Sequence, residues 1–177
     1  PNMHMNEVLA NLASNKSRTV HPNDHVNHGQ SSNDVIPTAI QIACAWTLRD
    51  QLIPELKKLQ KELKQKAKQF HKVIKTARTH LMDAVPVRLG DEFAAYAALV
   101  EASIDRLQQA QADLGSLPLG GTAAGTGLNA HPKFAKEVIK RLKKETCLAL
   151  SEAEDHIAAQ SCPLALLHLS GALRETA

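Results

Sequence analysis

Apolar residues recur at steps of three and four from Val35 onward. Val35, Ala39, Ile42 and Trp46 come first, followed by Leu52, Leu56, Leu59, Leu63, Ala67, Phe70 and Ile74. This spacing lines one face of an α-helix. It predicts about 40 residues of helix, longer than a typical globular helix and in need of a helical neighbour. Lys57, Lys58, Lys61, Lys64, Lys66, Lys68, Lys72 and Lys75 flank the stripe, as on the solvent side of an amphipathic helix. Asn33 or Asp34 is placed to cap the start, with Pro37 in the first turn. Pro54 lacks an N–H and its ring crowds the carbonyl four residues back, so it should kink the helix or interrupt it.

The rhythm breaks over residues 76–91, TARTHLMDAVPVRLGD, which contain Pro86 and Gly90. It resumes through Phe93, Ala97, Val100, Ile104, Leu107 and Leu114, a second long helix. Residues 115–132, GSLPLGGTAAGTGLNAHP, hold five of the eight glycines and cannot form a helix interior. A shorter helix is expected from about Pro132 to Lys144, with Phe134, Val138 and Leu142 inward and lysines near its C-terminal end, where the dipole favours them. Another helix should run from Ala153 to Ala177, perturbed at Pro163. No segment alternates in the manner of a strand. The expected fold is all-α: an up-and-down array of long helices with three polar or glycine-rich interruptions.

Composition agrees. The chain has 177 residues, is 44% hydrophobic and 22% charged, and has only 3% aromatics. Alanine and leucine supply most of the apolar content and favour helices. No run approaches the roughly 18 apolar residues of a membrane span. The net charge of +3 is modest, and the lysines lack the interleaved aromatics of a nucleic-acid surface. Cys44, Cys147 and Cys162 are widely spaced in apolar surroundings and read as free thiols in a reducing compartment. The chain opens on Pro1 with no signal peptide, so it reads as a piece of a longer protein.

The three interruptions carry the candidate chemistry. In HPNDHVNHGQSSND, residues 21–34, the imidazoles of His21, His25 and His28 suggest a metal, but no tetrahedral spacing emerges. Ser31, Ser32, Asn33 and Asp34 can cap the helix, and the same helix start can receive an anion. In ARTHLMDAVP, His80 stands between Thr79, Arg78 and Asp83 at a break, where a histidine can be structural or a general acid or base. GGTAAGTGLN lacks the Lys-Ser/Thr of a phosphate loop, so its glycines point to tight turns and close packing.

Taken together, NMHMNEVLAN, HPNDHVN, QSSND, RTHLMDA, LGGTAAGTGLN and SGAL resemble the fumarase/aspartase superfamily over essentially the whole chain. SSND and LGGTA look more like class II fumarase than aspartase. The resemblance implies reversible hydration of fumarate to L-malate, a step of the tricarboxylic acid cycle, in a metal-free and cofactor-free homotetramer. Its long helices would form a central bundle, with each active site shared between subunits. It implies a cytoplasmic protein (mitochondrial matrix in a eukaryote) that takes a small dicarboxylate and binds neither nucleic acid nor membrane. Residues 1–33 would end an N-terminal domain, and residues 34–177 would belong to the central helical domain.

By the same resemblance, Ser31, Ser32 and Asn33 bind a substrate carboxylate or water. Thr79 binds substrate and His80 is the catalytic acid/base group. His21, Pro22, Asn23 and Asp24 form a second, non-catalytic anion site. The family's catalytic serine loop has no counterpart in these residues, so the chain alone is expected to be silent. Ala77 stands where the family has glycine, and His4, His25 and His28 depart from its pattern. Two other readings remain open: aspartase or another superfamily lyase, and a non-enzymatic helical self-association module.

Overall fold

A computed structural model describes residues 2–177. In chain order it contains α1 (Asn2–Ala13), a π turn (Pro22–Val26), α2 (Ser32–Thr47), a second π turn (Leu48–Leu52), α3 (Ile53–Gln69), β1 (Ile74–Thr79), β2 (Met82–Arg88) and α4 (Leu89–Asp113). Then follow β3 (Ser116–Leu117), α5 (Phe134–Thr146), β4 (Ser151–Glu152), α6 (His156–Ser161) and α7 (Leu164–Thr176). The chain folds as two compact units. One comprises the residues up to Trp46 together with Gln111–His168, and the other comprises Thr47–Ala110 with Leu169–Ala177.

In the first unit, Leu114 and, from the glycine-rich segment, Leu117, Pro118 and Leu119 are buried, as are Ala135 and Ile139 of α5 and Leu148, Leu150 and Ala153 beyond it. Two-residue strands β3 and β4 pair in parallel, Ser116 with Ser151 and Leu117 with Glu152. Gly115 permits this approach, because a Cβ there would stand 2.3 Å from the Ala149 carbonyl oxygen. The buried face of α2 is Asp34, Thr38, Gln41 and Ala45, not the apolar stripe that predicted the helix. Val35, Ala39, Ile42 and Trp46 instead line an open apolar groove of about 480 Å³, facing Leu119, Phe134, Val138 and Leu142.

In the second unit, Leu48, Ile53, Ala97, Ile104, Leu107, Leu169 and Ala172 are buried. The expected disturbance at Pro54 takes the form of a π turn just before it. Ile53 N–H reaches back to the Leu48 carbonyl, five residues away, so the turn widens where the proline ring would otherwise crowd the chain. Helical backbone thus runs from Ser32 to Gln69. It stops short of Ile74, where the apolar rhythm had carried the expectation.

The absence of strands was the main error of the pattern reading. β1 and β2 pair antiparallel, Ile74 opposite Arg88 and Thr79 opposite Met82, with a bulge between Thr76 and Arg78 at Ala77. Nearly every residue of this hairpin is exposed. With neither face buried, no alternation of apolar and polar positions is imposed. The only signal was β-branched content: Ile74, Thr76, Thr79, Val85 and Val87. The expected helix from Ala153 is two helices, α6 and α7, divided at Cys162–Pro163.

Gly90, in the first turn of α4, packs directly on the end of α3. A Cβ there would lie 2.4 Å from the Ala67 carbonyl oxygen and 2.9 Å from His71 Cα. Both neighbours are backbone and cannot swing aside. Gly90→Ala should therefore lower stability by about 1–3 kcal/mol despite alanine's better helix propensity. The denaturant midpoint of the complete protein measures it, and an unchanged or raised midpoint would refute this packing.

Candidate functional site

Helix α2 starts on a reciprocal cap. Ser31 Oγ accepts from Asn33 N–H at 3.2 Å, and Asp34 Oδ1 accepts from Ser31 N–H at 2.9 Å. The cap residue is thus Ser31, not Asn33 or Asp34, and Pro37 lies inside the helix, not in its first turn. A side-chain cap three residues from a carboxylate that reaches back is the logic of a capping box, with Asp in the place of Glu.

Asp34 does more than cap. Its side chain is fully buried, and Oδ2 accepts from the Gly120 and Thr122 N–H groups, each at 3.0 Å. Three backbone amides therefore surround one buried carboxylate and tie the glycine-rich loop to the start of α2. Asn33 adds a second tie, its Nδ2 donating to the Ala123 carbonyl at 2.8 Å. From the other side, His156 Nε2 donates to the Leu119 carbonyl at 3.1 Å and Gln160 Nε2 to that of Thr122 at 2.8 Å.

Between the loop and the helix start lies a cleft of about 820 Å³. Ser31 and Ser32 line it, together with Asn23, Asp24, His28, Thr122, Thr126 and Asn129. Its polar groups are mainly neutral hydroxyls and amides, and no lysine or arginine is among the described residues that line it. Asn33 borders a smaller adjoining pocket of about 250 Å³, with Gln160 and Ser161.

The structure thus gathers Ser31, Ser32, Asn23 and Asp24 around one cleft. His21 and Pro22 support it through the first π turn. His21 Nδ1 accepts from the Asn23 and Asp24 N–H groups at 3.3 and 3.2 Å. That requires the unprotonated nitrogen, so the Asp24 carboxylate 3.2 Å from the same atom is not its ion-pair partner in this tautomer. His25 Nδ1 accepts from His21 N–H at 2.8 Å, a local structural bond. His28, which the sequence left without a role, faces the cleft.

Thr79 and His80 belong to the second unit. His80 and Leu81 form the exposed two-residue tip of the hairpin, with φ of 48° and 63°. Positive φ at both positions matches the twist of a tight hairpin, although glycine and asparagine adopt it more readily. Below the tip, Arg78 pairs across the strands with Asp83 at 3.0 Å. Both side chains are exposed, so this bond orders the hairpin more than it stabilises the fold.

A family described as Lyase matches residues 1–177. The chain belongs to this lyase family. Among curated relatives, the class II fumarate hydratase of Corynebacterium glutamicum is 48% identical over 98% of this chain and 37% of its own length. Among solved structures, the class II fumarase of Schistosoma mansoni superposes with a TM-score of 0.90 at 37% identity, over 99% of this chain and 41% of its own. A fumarate lyase:delta crystallin of Brucella melitensis gives a TM-score of 0.91 at 38% identity, over 98% and 39%. The mostly helical fold is therefore that of the fumarase/aspartase lyases. The chain spans about two fifths of the length of these relatives.

Within this lyase fold, the sequence reading singled out Ser31 and Ser32, which line the cleft, but not what the loop contributes to it. Thr122, Thr126 and Asn129 sat in a segment read only as turns, and Asp34 was read only as a cap. The S-x-x-D spacing at Ser31 and Asp34 was the available signal for the cap. No local signal pointed to a partner as distant in sequence as Thr122. Asp34→Ala would strand the amides of Ser31, Gly120 and Thr122 and should destabilise the complete protein by roughly 3 kcal/mol or more. Chemical denaturation tests this, and a loss below about 1 kcal/mol would mean that water satisfies these amides.

Proposed function

We propose that the complete protein is a fumarate hydratase, adding water to fumarate to give L-malate and running the reverse reaction as well. The observation that carries this reading is the cleft in which Ser31 and Ser32 stand at a helix start opposite a glycine-rich wall. It is supported by 48% identity to a class II fumarate hydratase and by structural likeness to a class II fumarase. Serine hydroxyls, with a helix dipole behind them, suit a carboxylate. Ser31, Ser32 and Asn33 take that role in this reading. His21, Pro22, Asn23 and Asp24 form an accessory anion site.

The chemistry follows from the substrate. In the dehydration of malate to fumarate a proton leaves the carbon beside a carboxylate, and charge moves into that carboxylate as an aci-form. Hydroxide then leaves the adjacent carbon and takes up a proton. Preorganised donors stabilise the aci-form, and one acid and one base handle the protons. Thr79 contacts substrate and His80 is the acid/base group, acting on the hydroxyl or water.

The cleft cannot neutralise a dianion with the groups lining it, since lysine and arginine are missing from its described lining. In this reading the cation comes from another part of the assembled protein. The site is shared between copies of a homotetramer, and residues 34–177 contribute to its central helical domain while residues 1–33 end the preceding one. No helix of the described residues is long and apolar enough to cross a membrane, and the proposed setting is the cytoplasm, or the mitochondrial matrix in a eukaryote.

An absorbance assay of fumarate loss by the complete protein tests the reading. Water addition should proceed without ammonia, and His80→Asn should lower kcat by about 100- to 10,000-fold. Ammonia-dependent turnover would identify an aspartase instead. Full activity in the His80 variant would remove the assigned acid/base role.

A further inference from the structure

Five non-glycine residues among those described have positive φ, and Thr122 is the β-branched one, at 56°. A side chain branched at Cβ is poorly accommodated there. The conformation persists only where surrounding bonds over-determine it. Thr122 is held at both ends of its own peptide units: its N–H by Asp34 Oδ2 at 3.0 Å and its carbonyl by Gln160 Nε2 at 2.8 Å.

Gln160 reaches that carbonyl because α6 lies directly on the loop. A Cβ on Gly121 would stand 2.8 Å from His156 Cβ, and one on Gly125 would stand 2.7 Å from Ile157 Cα. The amide orientation of Gln160 follows from its partner, since only the NH₂ end can donate to a carbonyl. That orientation leaves Gln160 Oε1 buried with no hydrogen-bond partner, a cost incurred for the bond to Thr122. Gln160 itself does not line the large cleft.

We propose that Gln160 is a positioning residue for the cleft. With Asp34 on the opposite side of the peptide, it locks Thr122 in the left-handed conformation and fixes the wall of Thr122, Ala123 and Ala124 that faces Ser31 and Ser32. The functional consequence rests on the hydratase reading; the mechanical one does not. Released from Gln160, Thr122 relaxes out of the left-handed region and the wall shifts away from the bound carboxylate.

The test uses Gln160→Met, which keeps the bulk and removes both the donor and the stranded oxygen, in the complete protein. KM for fumarate and malate should rise about tenfold, the worth of one hydrogen bond, while kcat changes less than about threefold. In a Thr122→Gly background, where glycine adopts positive φ without strain, the same substitution should raise KM by less than about threefold. An unchanged KM, or an equal rise in both backgrounds, overturns the proposal. A lowered melting temperature with both kinetic constants unmoved also overturns it.

Amide hydrogen exchange decides the mechanical part without turnover. Exchange at Thr122 and Gly125 should quicken about tenfold in Gln160→Met. If it does not, Gln160 does not hold the loop, whatever the protein catalyses. If the unaltered protein fails to hydrate fumarate while exchange does quicken, the hydratase reading fails and the positioning role stands.

Discussion

The Asp34 carboxylate joins two segments far apart in the chain, and the cleft exists because of that junction. A buried charge is costly unless its hydrogen-bonding capacity is met. Here all three bonds come from backbone amides, those of Ser31, Gly120 and Thr122. Amides suit the task because they are held by the backbone and cannot rotate away as a lysine can. The carboxylate therefore stabilises the loop only in one shape, and that shape sets the spacing between Ser31 and Thr122. A neutral residue of similar size would leave donors facing donors.

Further bonds hold the loop backbone from Leu119 to Ala123. The carbonyl of Leu119 goes to His156, that of Thr122 to Gln160 and that of Ala123 to Asn33. Gly121 N–H turns back to the Pro118 carbonyl at 3.2 Å. An irregular segment that packs this closely cannot satisfy its peptides by regular structure. It relies instead on side chains from α2 and α6, and the glycines let α5 and α6 approach. Rigidity without secondary structure is what a binding wall requires.

This division explains what the sequence disclosed. The long helices were legible because an apolar period sustained from Val35 to Phe70 has few other solutions. Which face of α2 would be buried was not legible. Thr38 and Gln41 turn inward with Asp34, while Trp46 remains 47% exposed. The polar face follows the carboxylate, and the apolar stripe is left lining a groove. The β1–β2 hairpin escaped notice for the opposite reason: exposed on both faces, it had no pattern to reveal. Among the residues lining the cleft, Ser31 was within reach of local capping chemistry through its spacing to Asp34. Thr122, Thr126 and Asn129 were not, because their place in the cleft depends on a hydrogen bond between residues remote in sequence.

The electrostatics of the cleft bear on how such a site works. Its wall is made of hydroxyls, amides and backbone, with a buried negative charge behind it at Asp34 and a second carboxylate, Asp24, on its lining. On their own these carboxylates oppose an incoming dianion. The helix dipole of α2 and the neutral donors favour it only locally, within about a turn of the helix start. A dicarboxylate would thus be oriented by these groups more than attracted by them. In the proposed reading the net attraction comes from cations elsewhere in the complete protein. An arrangement of that kind would keep the neutral wall from binding small anions tightly by itself. It would also separate two tasks that a single lysine would merge, the wall setting geometry and the completing groups setting affinity. The strain held at Thr122 belongs to the first task, because a wall that defines geometry must resist relaxing toward whatever ligand is present.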